Sequence, residues 1–125
     1  MNYLLDTHIV VWAALNSIAL PRKAAELLQD PTVALYISAA AIWEASIKGA
    51  SKLGISAENL RRSAEAAGYT ILDISAEHAI RVETLPPHHN DPFDRMMLAQ
   101  ALCEGFQLVT ADSKLSLYGA GVYPV

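Results

Sequence analysis

The chain predicts an α/β fold: a three-layer sandwich with helices on both faces of a central, mostly parallel sheet of four to five strands. Three observations carry this. Each strand candidate is a short, unbroken apolar run, such as Tyr3-Leu4-Leu5 or Ala34-Leu35-Tyr36-Ile37, as in strands buried on both faces. These runs alternate with segments of helical apolar spacing, in which 21 alanines favour helix. The 125 residues suit a single domain, 1–125, long enough to bury roughly two-thirds of its unfolded surface.

Taken in order, Tyr3-Leu4-Leu5 is the first strand and stops at Asp6. Residues 7–15 place Ile9, Val10, Trp12, Ala13 and Ala14 on a helix. Pro21 suits the first position of a helix that continues over 22–29, and Pro31 ends it. Ala34-Leu35-Tyr36-Ile37 is the second strand, and Ser38 caps a helix over 39–48 whose end Gly49 loosens. A helix over 56–67 closes at Gly68, before the third strand, Thr70-Ile71-Leu72. Ser75 opens a helix to about residue 84, and 85–92 is a loop holding Pro86-Pro87, His88, His89 and Asn90. Residues 93–104 form a helix that ends before Gly105, with Cys103 in its pattern as a buried core thiol. Gln107-Leu108-Val109-Thr110 is the fourth strand, 113–117 a helical turn, and Val122-Tyr123 a fifth strand.

Hydrophobic residues make up 53% of the chain, which excludes a disordered one. A single cysteine excludes a disulfide scaffold. No run approaches the ~18 apolar residues of a membrane span. Asp6 and His8 stand where a secretory leader would be apolar. The expectation is a cytoplasmic protein with no membrane partner. A formal net charge of −4 argues at first sight against nucleic acid, whose binders carry basic patches.

Ligands of parallel sheets bind beyond the carboxyl ends of the strands. Asp6 follows the first strand there and Asp112 the fourth. Asp91 and Asp94 begin the helix that feeds the fourth strand, and they reach the same edge only if the chain reverses over 85–92. Glu44 lies ~9 Å of helix beyond Ser38. Each acid has an ordinary explanation. Asp6, Asp91 and Asp112 suit N-caps, Asp94 suits a first helical turn, and Glu44 with Lys48 suits an i,i+4 pair. Jointly these explanations weaken. Glu44 sits among Ala40, Ala41, Trp43, Ala45 and Ile47, and a carboxylate in apolar surroundings is costly without a cation. Converging carboxylates suit Mg²⁺ or Mn²⁺ rather than zinc.

These residues resemble a known family. Leu5-Asp6-Thr7-His8 with Trp12, Ser38 with Trp43-Glu44, the string 85–95, Ala99-Gln100-Ala101 and Leu108-Val109-Thr110-Ala111-Asp112 are similar, in order and spacing, to PIN-domain ribonucleases. The likeness is specifically to toxins of VapC type from bacterial type II toxin–antitoxin systems. It covers almost the whole chain, and Asp91-Pro92-Phe93-Asp94-Arg95 is its most specific piece. It implies a PIN-like α/β/α sandwich and a metal-dependent endoribonuclease that hydrolyses RNA. It also implies a homodimer and a cognate antitoxin that obstructs the site. Asp6, Glu44, Asp94 and Asp112 match the catalytic acids that hold one or two Mg²⁺ or Mn²⁺ ions. Asp91 assists them, Thr7 and Thr110 are hydroxyls beside the metal, and Arg95 touches a phosphate or braces a carboxylate.

Lys48, Lys52 and His89 are further candidates for contact with RNA. Lys48 with Lys52, like Arg61-Arg62, suits a solvated helix face equally well. His88 and His89 suit bonds within their loop better than ligation of Mg²⁺. Trp12 and Trp43 read as core or interface anchors. Two alternatives stay beside the toxin reading: a PIN nuclease that processes RNA without being a toxin, and a PIN-like module that binds RNA or protein without catalysis. A phosphatase of haloacid dehalogenase type would need an Asp where His8 stands, and a receiver domain would need an acidic partner close to Asp6. With four acids assigned to a metal site, the net charge of −4 no longer counts against a nucleic-acid substrate.

Overall fold

The computed structural model describes residues 1–125. Along the chain it runs β1 (Asn2–Leu5), α1 (Thr7–Ala14), α2 (Arg22–Leu28), β2 (Ala34–Ser38), α3 (Ala39–Leu53) and α4 (Ala57–Ala66). It continues with β3 (Thr70–Leu72), α5 (Ala76–Val82), α6 (Pro92–Glu104), β4 (Gln107–Thr110), α7 (Ser113–Ser116) and β5 (Val122–Pro124). The sheet has five strands in the order β3-β2-β1-β4-β5, and every pairing is parallel. The α/β/α expectation holds, with a sheet that is parallel throughout.

Apolar burial explains why β1 is central. Leu4, Leu5, Ile37, Leu108 and Val109, from three adjacent strands, are all fully buried. Helices cover them from both sides: a right-handed crossover places connections that run in opposite directions along the sheet on opposite faces. The chain steps from β1 to β2 to β3 one way, then returns past β1 to β4 and β5. The direction therefore reverses between β1 and β4, and a crevice opens at their carboxyl ends. Polar bonds tie α6 to the other half of the sheet. Buried Gln100 accepts from the Ser38 hydroxyl and donates to the Asp73 carbonyl.

Local chemistry sets the helix ends. Ser38, Ser56 and Ser75 cap α3, α4 and α5, as Ser does by accepting early N–H groups. Pro21 caps α2 from outside rather than starting it, because its ψ of 145° is extended. The helix expected over 39–48 does break at Gly49, at φ 72° and ψ 175°, a region open in practice only to glycine. A further turn then carries α3 on to Leu53.

The structure removes the core assignment of Cys103 and, of the two readings of Trp43 as core or interface anchor, the core one. Cys103 is exposed. Residues 97–101 are buried all round α6, including Ala99 one turn before Cys103, and Cys103 lies in the last turn, past that stretch. Trp43 is 56% exposed and packs edge-on against Phe93, with ring centroids 5.0 Å apart. Trp12 is half-buried against the core, as expected of an anchor.

Candidate metal centre

Asp6 stands where β1 turns into α1. It occupies the N-cap position, but its side chain makes no capping bond. Thr110, the last residue of β4, donates its hydroxyl to Asp6 Oδ2 at 2.8 Å. The other oxygen, Oδ1, is buried and has no partner. Thr7 donates its hydroxyl to Glu44 Oε1 at 2.7 Å, while Glu44 Oε2 holds the Lys48 ammonium. Glu44 itself is only 2% exposed, packed among Ala40, Ala41 and Ala45. The two threonines thus brace two carboxylates at the mouth of the crevice.

Asp91, Asp94 and Asp112 come from the other side. Asp91 Oδ1 caps α6 by accepting the N–H groups of Phe93 at 2.8 Å and Asp94 at 3.1 Å. Asp112 caps α7 through the Lys114 N–H at 2.8 Å. Its own N–H donates to the Thr110 hydroxyl that serves Asp6. Capping and cleft duty therefore coincide in Asp91 and Asp112 rather than compete. His89 joins the remaining oxygens: its Nε2 lies 2.9 Å from Asp94 Oδ2 and 3.0 Å from Asp112 Oδ2. The loop over 85–92 does reverse the chain, and Asp94 meets the other acids in one cleft of about 380 Å³. Asp6, Glu44, Asp91, Asp94 and Asp112 line it with Lys48 and His89.

The cleft strains against its own charge. Burial first, and then the carboxylates of Asp6, Asp91, Glu44 and Asp112, push Asp94 up to about 8. Burial likewise raises Asp6, against the hydroxyl of Thr110. Burial pushes Asp112 the same way, but the Lys114 N–H and the contact with His89 outweigh it and hold this acid below its ordinary value. The bond to Glu44 raises Lys48. A single imidazole N–H cannot satisfy two carboxylates fully, so Asp94 and Asp112 share an incomplete donor. A divalent cation fits this donor set. Asp6 Oδ1 is buried with nothing to satisfy it, and carboxylate oxygens are the ligands Mg²⁺ and Mn²⁺ take.

Other candidates are placed differently. Arg95 touches no carboxylate. Its guanidinium donates to the carbonyls of Val82, Leu85, Pro86 and His89 and to the Tyr118 hydroxyl, so it holds the loop in shape. Lys52 is exposed beyond the Gly49 break and does not line the cleft. Arg61 and Arg62 pair with Glu58 and Glu65 on their own helix, a solvated face. His88 packs on Tyr118 outside the cleft. His89 does bond within its loop, where its Nδ1 accepts the Asp91 N–H, and its Nε2 also sits among the acids. His8 and Trp12 also line the cleft, their rings 5.6 Å apart. Their i,i+4 spacing on the helix that starts beside Asp6 was the signal for that.

Comparison with known proteins agrees with this architecture. No curated protein sequence matches the chain. Solved structures do. A toxin–antitoxin complex from Klebsiella pneumoniae is similar at 25% identity and a TM-score of 0.65, covering 98% of this chain and 99% of that one. VapBC2 from Rickettsia felis, bound to a DNA fragment from its promoter, is similar at 20% identity and a TM-score of 0.70, covering 100% and 98%. VapBC-1 from nontypeable Haemophilus influenzae is similar at 22% and 0.65, covering 100% and 97%. The family profile described as PIN domain matches residues 3–120. With the parallel sheet and the acid cleft at its reversal point, that match settles the family: the chain belongs to the PIN domain family.

Proposed function

We propose that the protein is a metal-dependent endoribonuclease of VapC type, the toxin of a type II pair, restrained by a cognate antitoxin and acting as a homodimer. The observation that carries the nuclease reading is the unpaired, buried Asp6 Oδ1 in a cleft of five carboxylates. The toxin–antitoxin complexes among its structural neighbours support the toxin and antitoxin roles. Asp6, Glu44, Asp94 and Asp112 would hold one or two Mg²⁺ or Mn²⁺ ions. A bound divalent ion lowers the pKa of an attacking water and neutralises charge developing on the phosphate.

The chain's own residues do the positioning. Thr110 and Thr7 fix the carboxylates of Asp6 and Glu44. Asp91 fixes the start of α6, and with it the backbone of Asp94. Lys48 brings a positive charge into the cleft, against Glu44. The test uses antitoxin-free protein, RNA and Mg²⁺ or Mn²⁺. Wild type cleaves the RNA, and Asp94→Asn lowers the rate by about 100-fold, the loss of a few kcal/mol of charge stabilisation. No cleavage by wild type, or equal cleavage by Asp94→Asn, overturns the reading. Growth arrest on expression, relieved by a co-expressed small neighbouring protein, separates a toxin from an RNA-processing nuclease.

A further inference from the structure

The acids of the cleft are not equally open to a cation. Both oxygens of Glu44 are taken, Oε1 by the Thr7 hydroxyl and Oε2 by the Lys48 ammonium. The Lys114 N–H takes Asp112 Oδ1, and the one Nε2 of His89 is divided between Asp94 Oδ2 at 2.9 Å and Asp112 Oδ2 at 3.0 Å. The His89 ring is held for that purpose. Its Nδ1 accepts the Asp91 N–H at 3.2 Å, so the neutral ring carries its proton on Nε2. Tyr118 and Arg95 fix the backbone on either side of it, through His89 N and His89 O. Asp6 is the exception, 4% exposed with one oxygen lacking any donor.

The Lys48–Glu44 pair is built in. The Glu44 side chain is 3% exposed, and the lysine side chain that reaches it is 32% exposed. Lys48 is the last residue before the Gly49 break, so a continuous run of helix fixes its offset from Glu44. A second metal ion on Glu44 would have to expel an ammonium of its own sign from a carboxylate that is otherwise buried. From this we infer that, of the four candidate acids, Glu44 is given over to Lys48: the cleft takes a single divalent cation, on Asp6 and away from Glu44, and Lys48 is its permanent second cation. The ammonium on Glu44 stands where a two-ion site would need another metal. This rests on the metal reading of the cleft, and its test does not depend on RNA cleavage.

Mn²⁺ titration reads it directly, with the free ion counted by electron paramagnetic resonance and the heat by calorimetry. Wild type and Lys48→Arg bind one Mn²⁺ per chain. Lys48→Met gains a second, and its first ion binds about tenfold tighter once a like charge is gone from the cleft. Asp6→Asn loses the ion. Should Lys48→Met fail to fold by circular dichroism, Lys48→Gln takes its place and keeps a polar group against Glu44. Two ions of similar affinity in wild type overturn the inference. So does a Lys48→Met or Lys48→Gln protein with one ion and unchanged affinity, or an Asp6→Asn protein that binds as wild type does. One ion with no RNA cleavage sinks the ribonuclease reading and leaves this inference standing. No ion at all sinks both.

Discussion

At the scale of single residues, the threonines decide whether the acids are usable. Thr110 is the one side-chain donor to Asp6, whose second oxygen is already unpaired. Thr110→Val should therefore cost about 1–3 kcal/mol, the penalty of a buried acceptor left bare. Urea denaturation measures this, and Thr110→Ser should recover most of it. Equal stability of the Val and Ser variants would show that the hydroxyl carries nothing. The sequence showed which residues were acids but not where a long side chain ends. That Asp6, Glu44 and Asp112 share one cleft was legible because short side chains end near the backbone that carries them, and Asp94 joined them once the chain reversed over 85–92. Arg95 was not: its guanidinium reaches five groups of a loop whose carbonyls have no signature in the sequence. Cys103 was misplaced because helical spacing does not show where along a helix burial ends.

At the scale of elements, glycine placement was the clearest signal. Gly49 interrupts α3 at a φ of 72°. A Cβ added there would meet nothing within 4 Å, so the cost of Gly49→Ala is backbone strain alone. That cost should be about 1–3 kcal/mol, read as a lower Tm. An unchanged Tm would mean that the chain straightens instead, and Lys48 would then be the residue to watch. A glycine marks a break but not the conformation of the residues beyond it, so the turn up to Leu53 stayed hidden. The start of α6 was plainer. Asp91, Pro92 and Asp94 occupy the cap, the first position and the first turn. Asp91→Ala should cost about 1 kcal/mol, and differential scanning calorimetry will show whether it does.

At the scale of the whole molecule, charge in the cleft couples folding to pH. Asp94 is raised from the ordinary 3.8 to about 8. Between those values the folded chain holds a proton that the unfolded chain has released. Stability without metal therefore falls as pH rises through that window. Asp6 acts in the same direction. A divalent ion replaces the proton, so Mn²⁺ should raise the Tm more at pH 8 than at pH 5.5, and in EDTA the Tm should be higher at pH 5.5. A metal-free Tm that rises steadily towards pH 8 would contradict this. The parallel sheet was legible because each strand is continuously apolar. Strand order was not, because periodicity says nothing about which neighbours pair. The placement of Asp94 depended instead on the chain reversing over 85–92.

The reversal between β1 and β4 also has a consequence in time. The Asp6 carboxylate is braced by a hydroxyl 104 residues further along the chain. Until β4 emerges from the ribosome, β1 lacks its neighbour on that side, Asp6 lacks Thr110, and Asp112 does not yet exist. An unfinished chain holds acids but no cleft. Contacts this distant in sequence form late, so on the proposed ribonuclease reading the growing polypeptide stays inert towards the transcript being translated.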